Sequence, residues 1–127
     1  MIGYVTLGTN DFDKAVNFYD ELMKVIGAGR FMEEETFVAW AKAPGQPGIS
    51  VTRPFNGEPA TVGNGMMVAI EVGSPEEVDA VYKKAIELGG TCEGAPGGRG
   101  MEGFYAGYFR DLDGNKLNAF HFAMPSA

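Results

Sequence analysis

The chain has 127 residues, 45% of them apolar and 21% charged, which is enough to fold as one domain around a buried core. Its formal net charge of −7 argues against nucleic acid and against anionic membrane surfaces as partners, because both are bound through clusters of basic residues. A single cysteine, Cys92, excludes an intramolecular disulfide and a zinc site built from cysteines, and the lack of a leader pattern or a long apolar run predicts a cytoplasmic protein.

The first part of the chain predicts a strand, a helix and three further strands. Residues 2–7 alternate in polarity, as a half-buried strand does. Thr9 or Asn10 can cap a helix, in which apolar residues recur at spacings of three and four from Phe12 onward until Gly27 ends it. Strand-like runs follow at residues 30–32, 36–41 and 49–53. These elements make a first module of about residues 1–56.

A linker rich in glycine, at about residues 57–64, leads to a second module at about residues 65–123. The second module starts with a strand of alternating polarity at residues 66–72. Ser74 and Glu77 then form a capping box, with Pro75 at the first helical position. Further strands are predicted at residues 90–93, 103–110 and 116–122, the last two joined by a hairpin turn. The second module therefore has the same order of elements as the first.

The two modules also repeat each other in register. A shift of 63 residues superposes apolar positions and the closing glycine, among them Leu7 on Ile70, Tyr19 on Tyr82 and Gly27 on Gly90. The predicted fold class is α+β, a single domain of two tandem βαβββ modules whose sheets curl around a central cavity. A cavity between two repeats is a natural ligand site.

Four short motifs resemble those of one known superfamily. They are TLGTND at residues 6–11, Phe18-Tyr19 in the first helix, Gly63-Asn64-Gly65, and YFRDLDGNKL at residues 108–117. On these motifs the chain resembles the vicinal oxygen chelate superfamily, which holds glyoxalase I, bleomycin-resistance proteins and extradiol dioxygenases. The last motif is similar to the ending F-x-x-D-P-D-G-N-x-[IL]-E of that superfamily, with Leu112 in place of proline. The resemblance covers almost the whole chain and implies the glyoxalase/bleomycin-resistance fold.

Members of that superfamily hold a divalent metal with a His on the first strand, a His on the fifth and a Glu on the eighth. The resemblance places Tyr4, Met67 and Asn118 at these three positions, and residues 47–54, where another ligand often lies, contain no His, Cys, Asp or Glu. A phenol, a thioether and an amide are poor ligands for ions that select imidazole and carboxylate. The metal site is therefore predicted to be lost, and no cofactor is expected.

The resemblance then implies a protein of the bleomycin-resistance type, which holds a flat cationic drug between aromatic walls, commonly in an acidic dimer cleft. We predict a homodimer that binds a small molecule in a cavity floored by Tyr4, Met67 and Asn118. The other candidate cavity residues are Trp40, Tyr105, Tyr108, Phe120 and Arg99.

Two alternatives stay open at this point. One is a lyase or isomerase of the glyoxalase type, acting on a small oxygenated substrate with Glu71 or Tyr4 as the acid–base group. The other is a non-catalytic scaffold whose cavity is filled by its own side chains. The sequence does not decide whether the chain is an enzyme, including one related to the dioxygenases.

Four further features have a structural interpretation beside a functional one. His121 is assigned a structural or surface role, because alternation puts it on the strand face opposite Asn118. Arg53 and Arg110 could anchor an anionic substrate, although solvated charges are common at strand ends. Residues 94–100 predict a mobile flap over the cavity mouth, with Arg99 at its tip.

Overall fold

The computed structural model describes residues 1–123, and both modules consist of a strand, a helix and three strands. The first module contains β1 (Tyr4–Gly8), α1 (Phe12–Lys24), β2 (Gly29–Glu34), β3 (Phe37–Ala41) and β4 (Gly48–Thr52). The second contains β5 (Val68–Glu71), α2 (Pro75–Glu87), β6 (Thr91–Gly98), β7 (Phe104–Arg110) and β8 (Lys116–Phe122). No helix of this described range is long and apolar enough to span a membrane.

Each module forms its own mixed four-stranded sheet. Sheet 1 has the order β1-β4-β3-β2 and sheet 2 the order β5-β8-β7-β6. In both sheets the first strand of the module pairs in parallel with the last, and the other pairs are antiparallel. The predicted α+β class with two βαβββ modules is confirmed. The two sheets are not closed into a barrel.

The two helices repeat each other residue for residue. A shift of 63 carries the bounds of α1 onto those of α2, and it carries the N-cap of α1, Asp11, onto the N-cap of α2, Ser74. The cap of α2 is the predicted capping box, since Ser74 accepts from the Glu77 N–H and the Glu77 carboxylate accepts from the Gly73 N–H. The predicted caps of α1 were wrong, because Asp11 rather than Thr9 or Asn10 accepts from a helical N–H.

The helices cover one face of each sheet and meet between the modules. Side chains of α1 and α2 merge into a single apolar core with the helix-facing side chains of both sheets. Each large side chain buried there contributes about 1.5–3 kcal/mol relative to exposure. The members of this core that lie below 2% exposure include Phe18, Tyr19, Leu22, Trp40, Val78, Val81, Phe109 and Leu117. The core therefore lies on the helix side, and the opposite face of each sheet stays open.

A buried polar network centred on Asp111 joins the two modules. The carboxylate of Asp111 accepts from the Tyr19 hydroxyl at 2.7 Å and from the backbone N–H groups of Asp113 and Asn115 at 2.9 Å. The Asn115 side chain donates to the same carboxylate and to the backbone oxygen of Gly8. Burial, followed by the negative charge of Asp111, raises the pKa of Tyr19 well above its ordinary value. The β7–β8 turn is thereby fixed to the β1–α1 junction.

The segment predicted to be a flap is mostly strand. β6 extends to Gly98, with Gly97 opposite Ala106 and Gly98 opposite Tyr105 of β7. The flap prediction is wrong for residues 94–98, because backbone pairing with two register shifts keeps this glycine-rich stretch on the sheet edge. Arg99 follows the strand, and its guanidinium donates to the backbone oxygens of Ala95 and Gly98.

Candidate ligand-binding site

The open face of sheet 1 is aromatic and partly exposed. Tyr4 is 52% exposed, and its ring meets that of Phe37 edge-on, with 6.0 Å between the ring centroids. The Phe31 ring covers Gly48, where an added Cβ would lie 2.8 Å from a ring carbon. Below these rings, Ser50 donates to the Thr6 hydroxyl. This face combines aromatic contact area with the hydroxyl groups of Tyr4, Thr6 and Ser50.

The open face of sheet 2 is built around Asn118 in the middle of β8. Strand pairing puts Asn118 beside Ala69 of β5 on one side and beside Tyr108 of β7 on the other. Phe120, two residues further along β8, stacks on Phe104 with 5.8 Å between the ring centroids. Asn118, Tyr108 and Phe120 therefore share one face, as side-chain alternation requires.

Asn118 has an unusual environment for an amide. It is only 2% exposed, and its Oδ1 accepts no hydrogen bond from any residue of the described chain. A buried polar atom without a partner costs about 1–3 kcal/mol, so nearly all such atoms in folded proteins are paired. Asn118 therefore has a buried acceptor that no group of the described chain uses.

A recess of about 400 Å³ opens to solvent further along β7 and β8, and Asn118 is not part of its lining. We call it the linker recess. Its lining is the end of the linker at residues 62–65, together with Met66, Met67, Arg110 and Lys116. Lys116 and Arg110 face each other across the β7–β8 pair, two residues along the ladder from the Asn118–Tyr108 pair and on the same face. The recess therefore continues the open face of sheet 2.

Positive charge is concentrated around Tyr108. Its ring has the Arg99 guanidinium carbon 5.2 Å from its centroid and the Lys116 ammonium nitrogen 5.6 Å from it. Arg110 is neutralised, because its Nε donates to Glu93 at 2.6 Å and thereby lowers the pKa of that carboxyl. Within residues 1–123 neither Arg99 nor Lys116 forms an ion pair.

The structure brings together only part of the predicted cavity. Met67, Asn118, Tyr108 and Phe120 belong to the open face of sheet 2 or its edge, and Met67 is 41% exposed. Tyr4 lies on sheet 1, and no strand pairing connects the two sheets. Tyr4 therefore belongs to a different sheet from Asn118.

Two predicted aromatic walls need correction. Trp40 is 1% exposed in the helix-side core, where its indole N–H donates to Asp20 of α1. Tyr105 also points to the helix side, and its hydroxyl donates to Asp79 of α2 at 2.7 Å. Both occupy strand positions that alternate to the covered face, so neither lines the open one.

The remaining candidates have plain structural surroundings. His121 contacts the backbone oxygen of Val72 through Nδ1 at 3.1 Å. Glu71 is exposed at the end of β5. The Arg53 guanidinium lies over the Phe12 ring. Lys116, which the sequence interpretation omitted, could have been found from alternation, because it lies two residues before Asn118.

The side chains at the metal-ligand positions of the superfamily do not fit a metal ion. Tyr4, Met67 and Asn118 offer a phenol, a thioether and an amide, which are poor ligands for a divalent metal ion. Across the described range, no group of three or more His, Cys, Asp or Glu side chains is placed to hold one.

Comparisons with known proteins agree with this architecture. The model of the Glyoxalase/Bleomycin resistance protein/Dioxygenase superfamily matches residues 1–119. A glyoxalase/bleomycin resistance protein from Albidiferax ferrireducens T118 is 37% identical, with a TM-score of 0.88 over 97% of this chain and 99% of that one. No curated protein matches the chain.

More distant solved structures share the fold alone. A lactoylglutathione lyase from Agrobacterium tumefaciens is 21% identical, with a TM-score of 0.69 over 95% of this chain and 92% of that one. TioX from Micromonospora sp. ML1 is 20% identical, with a TM-score of 0.68 over 97% of this chain and 99% of that one.

Proposed function

We propose that this chain, which belongs to the Glyoxalase/Bleomycin resistance protein/Dioxygenase superfamily, binds a small molecule on the open face of sheet 2 without a metal ion. The observation that carries the proposal is the buried Oδ1 of Asn118, which has no hydrogen-bond partner in the described chain. A ligand N–H or O–H group that donates to this oxygen removes the cost of leaving it unpaired.

The donor chemistry supports the metal-free part of the proposal. Where the superfamily has imidazole and carboxylate, this chain has Tyr4, Met67 and Asn118. Binding must then come from hydrogen bonds, apolar contact and charge supplied by the chain itself. Elemental analysis of the purified protein tests this part, and about one bound metal ion per chain would overturn it.

A homodimer completes the proposal. Each chain exposes two open faces, with Tyr4 half exposed on sheet 1 and Met67 exposed beside sheet 2. A second copy that turns its sheet 1 toward sheet 2 of the first encloses a ligand between them and covers the apolar side chains of both faces. Sedimentation equilibrium tests this arrangement, and a monomer at all concentrations up to the millimolar range would refute it.

A thermal-shift screen with a matched pair of variants tests ligand binding. A compound that binds only the native state raises stability by about 2.7 kcal/mol at 100 times its Kd. In Asn118→Leu this shift should disappear, while the ligand-free protein keeps or gains stability, because the substitution removes an unpaired buried acceptor. The control Asn17→Leu makes the same change on the exposed side of α1 and should leave the shift intact. Retention of the full shift in Asn118→Leu would overturn the proposed site.

A further inference from the structure

We infer that the linker recess is an anion site: the ligand of this protein carries a carboxylate or phosphate group, held at Lys116 and Arg110, and a hydrogen-bond donor that reaches Asn118. This inference rests on the function proposed above and names the chemical class of the ligand.

The charges of the recess favour an anion. Its lining contains two cations, Arg110 and Lys116, and no carboxylate, although the whole chain has a net charge of −7. Glu93 already balances Arg110, and this contact holds the guanidinium in place together with the bond from its Nη1 to the Gly114 backbone oxygen. The charge of Lys116 is left without a carboxylate partner in the described chain. In the part of the chain that the structure describes, the only carboxylate bonded to either of these two cations is Glu93, and Arg110 already engages it.

Arg99 is a second cation on this face that forms no ion pair within the described chain. Arg99 lies over the same Tyr108 ring as Lys116, and its guanidinium is bound only to backbone oxygens. Attraction to an aromatic ring is worth about 0.5–1 kcal/mol at exposed sites, which does not replace an ion pair. The anion lowers the repulsion between these neighbouring charges when it binds. The positive field on this face is therefore stronger than a single lysine supplies.

The geometry also sets a length for the ligand. Lys116 and Asn118 are two residues apart on the same face of β8, which places them about 6.6 Å apart along the strand. The recess, at about 400 Å³, has room for a small organic molecule. An anionic group and a hydroxyl or amine at opposite ends of one small ring can then occupy Lys116 and Asn118 together.

The test uses isothermal titration of the intact protein with four probes. These are para-hydroxybenzoate, which has a carboxylate and a hydroxyl at opposite ends of a ring, its neutral methyl ester, inorganic phosphate, and a hydrophobic cationic drug. We expect para-hydroxybenzoate to bind, the ester to bind at least about tenfold more weakly, and the affinity for the acid to fall with added salt. Tighter binding of phosphate than of the acid would support the anion site and assign it to phosphate.

Variants of Lys116 test whether its positive charge is responsible for binding the acid. Lys116→Met should weaken binding of the acid by about tenfold or more, while Lys116→Arg, which keeps the charge, should retain most of the affinity. Lys83→Met makes the same change at an exposed position of α2 and should have no effect.

The possible negative results of these titrations can be told apart. Equal binding of acid and ester, or of the acid to wild type and Lys116→Met, overturns the anion site. If the cationic drug binds with dependence on Asn118 and the acids do not bind, the anion site is refuted while the proposed function stands. If no compound of any charge binds, both are refuted.

Discussion

The hydrogen bond between Tyr19 and Asp111 should contribute measurably to the stability of the whole chain. The Tyr19 hydroxyl donates at 2.7 Å to a carboxylate that is 5% exposed, and Tyr19 itself is fully buried. A hydrogen bond to a charged group contributes about 1.5–3 kcal/mol, and Tyr19→Phe removes this bond while keeping the ring in the core. The expected loss is therefore about 2 kcal/mol, or roughly 8 °C in Tm for a chain of this size.

Tyr105→Phe is a matched control. It removes a hydroxyl that also donates to an aspartate at 2.7 Å, but this second pair lies at the surface. Water replaces the lost bond there, so the change in Tm should be small. Both variants are compared with wild type by urea and thermal unfolding followed by circular dichroism, at one fixed protein concentration because dimerisation would make Tm depend on it. A loss in Tyr19→Phe no larger than that in Tyr105→Phe would refute the assigned role of the buried network.

The Tyr19–Asp111 pair also predicts that the chain loses stability at alkaline pH. The pKa of Tyr19 in the folded chain lies above the 10.0 of an unburied tyrosine, chiefly through burial. At a pH where Tyr19 of the unfolded chain begins to lose its phenol proton, the native state still keeps it. The contribution of Tyr19 to the free energy of unfolding is therefore complete below pH 10 and is lost as the pH rises through the pKa of the folded state. The advantage of wild type over Tyr19→Phe should therefore shrink above about pH 10.

Three further results are expected. The hydrogen bond from Arg30 lowers the pKa of Asp20, so the Asp20 carboxylate stabilises the fold above pH 3.8, its ordinary pKa, and this stabilisation is lost in acid. The free energy of unfolding of wild type should therefore exceed that of Asp20→Asn at pH 7, and the two values should converge near pH 2. A constant difference between pH 7 and pH 2 would contradict this. Gly103→Ala should destabilise the chain strongly in a thermal melt, because φ is +80° and the added Cβ would clash with the Ala123 backbone oxygen. An unchanged Tm would contradict this. Ser74→Ala should cost about 1 kcal/mol in urea unfolding through loss of the α2 cap, whereas Ser74→Asp should not.

Local chemistry explains why the helices could be predicted from the sequence. Apolar spacing and capping residues act within one turn, and the same signals recur 63 residues later. The N-cap of α1 was harder, because Thr9, Asn10 and Asp11 are all capping residues. Long-range bonds decide among them: Asn10 exchanges two hydrogen bonds with the Ala60 backbone, which leaves Asp11 for the helix.

The site was predicted less well because it depends on which face each strand turns to the helices. Trp40 and Tyr105 were chosen for their aromatic rings, yet Tyr105 and Tyr108 are an odd number of residues apart and must point to opposite faces of β7. Alternation could have separated them. How the two sheets lie relative to each other could not be obtained this way, since it follows from the shared helix core and from the contacts of the β7–β8 turn.

The contacts of that turn also determine when the chain can finish folding during synthesis. The Asn115 side chain meets the Gly8 oxygen across 107 positions of sequence, and the Asn10 N–H donates to Asp113 across 103. At about 5–20 residues per second, the first module is synthesised roughly 3–12 seconds before these partners. Throughout that interval the β1–α1 junction lacks these hydrogen-bond partners, and the apolar side of α1 lacks α2. The first module is thus the part of the nascent chain that most needs protection from aggregation, and folding should end with the closure of the β7–β8 turn onto it.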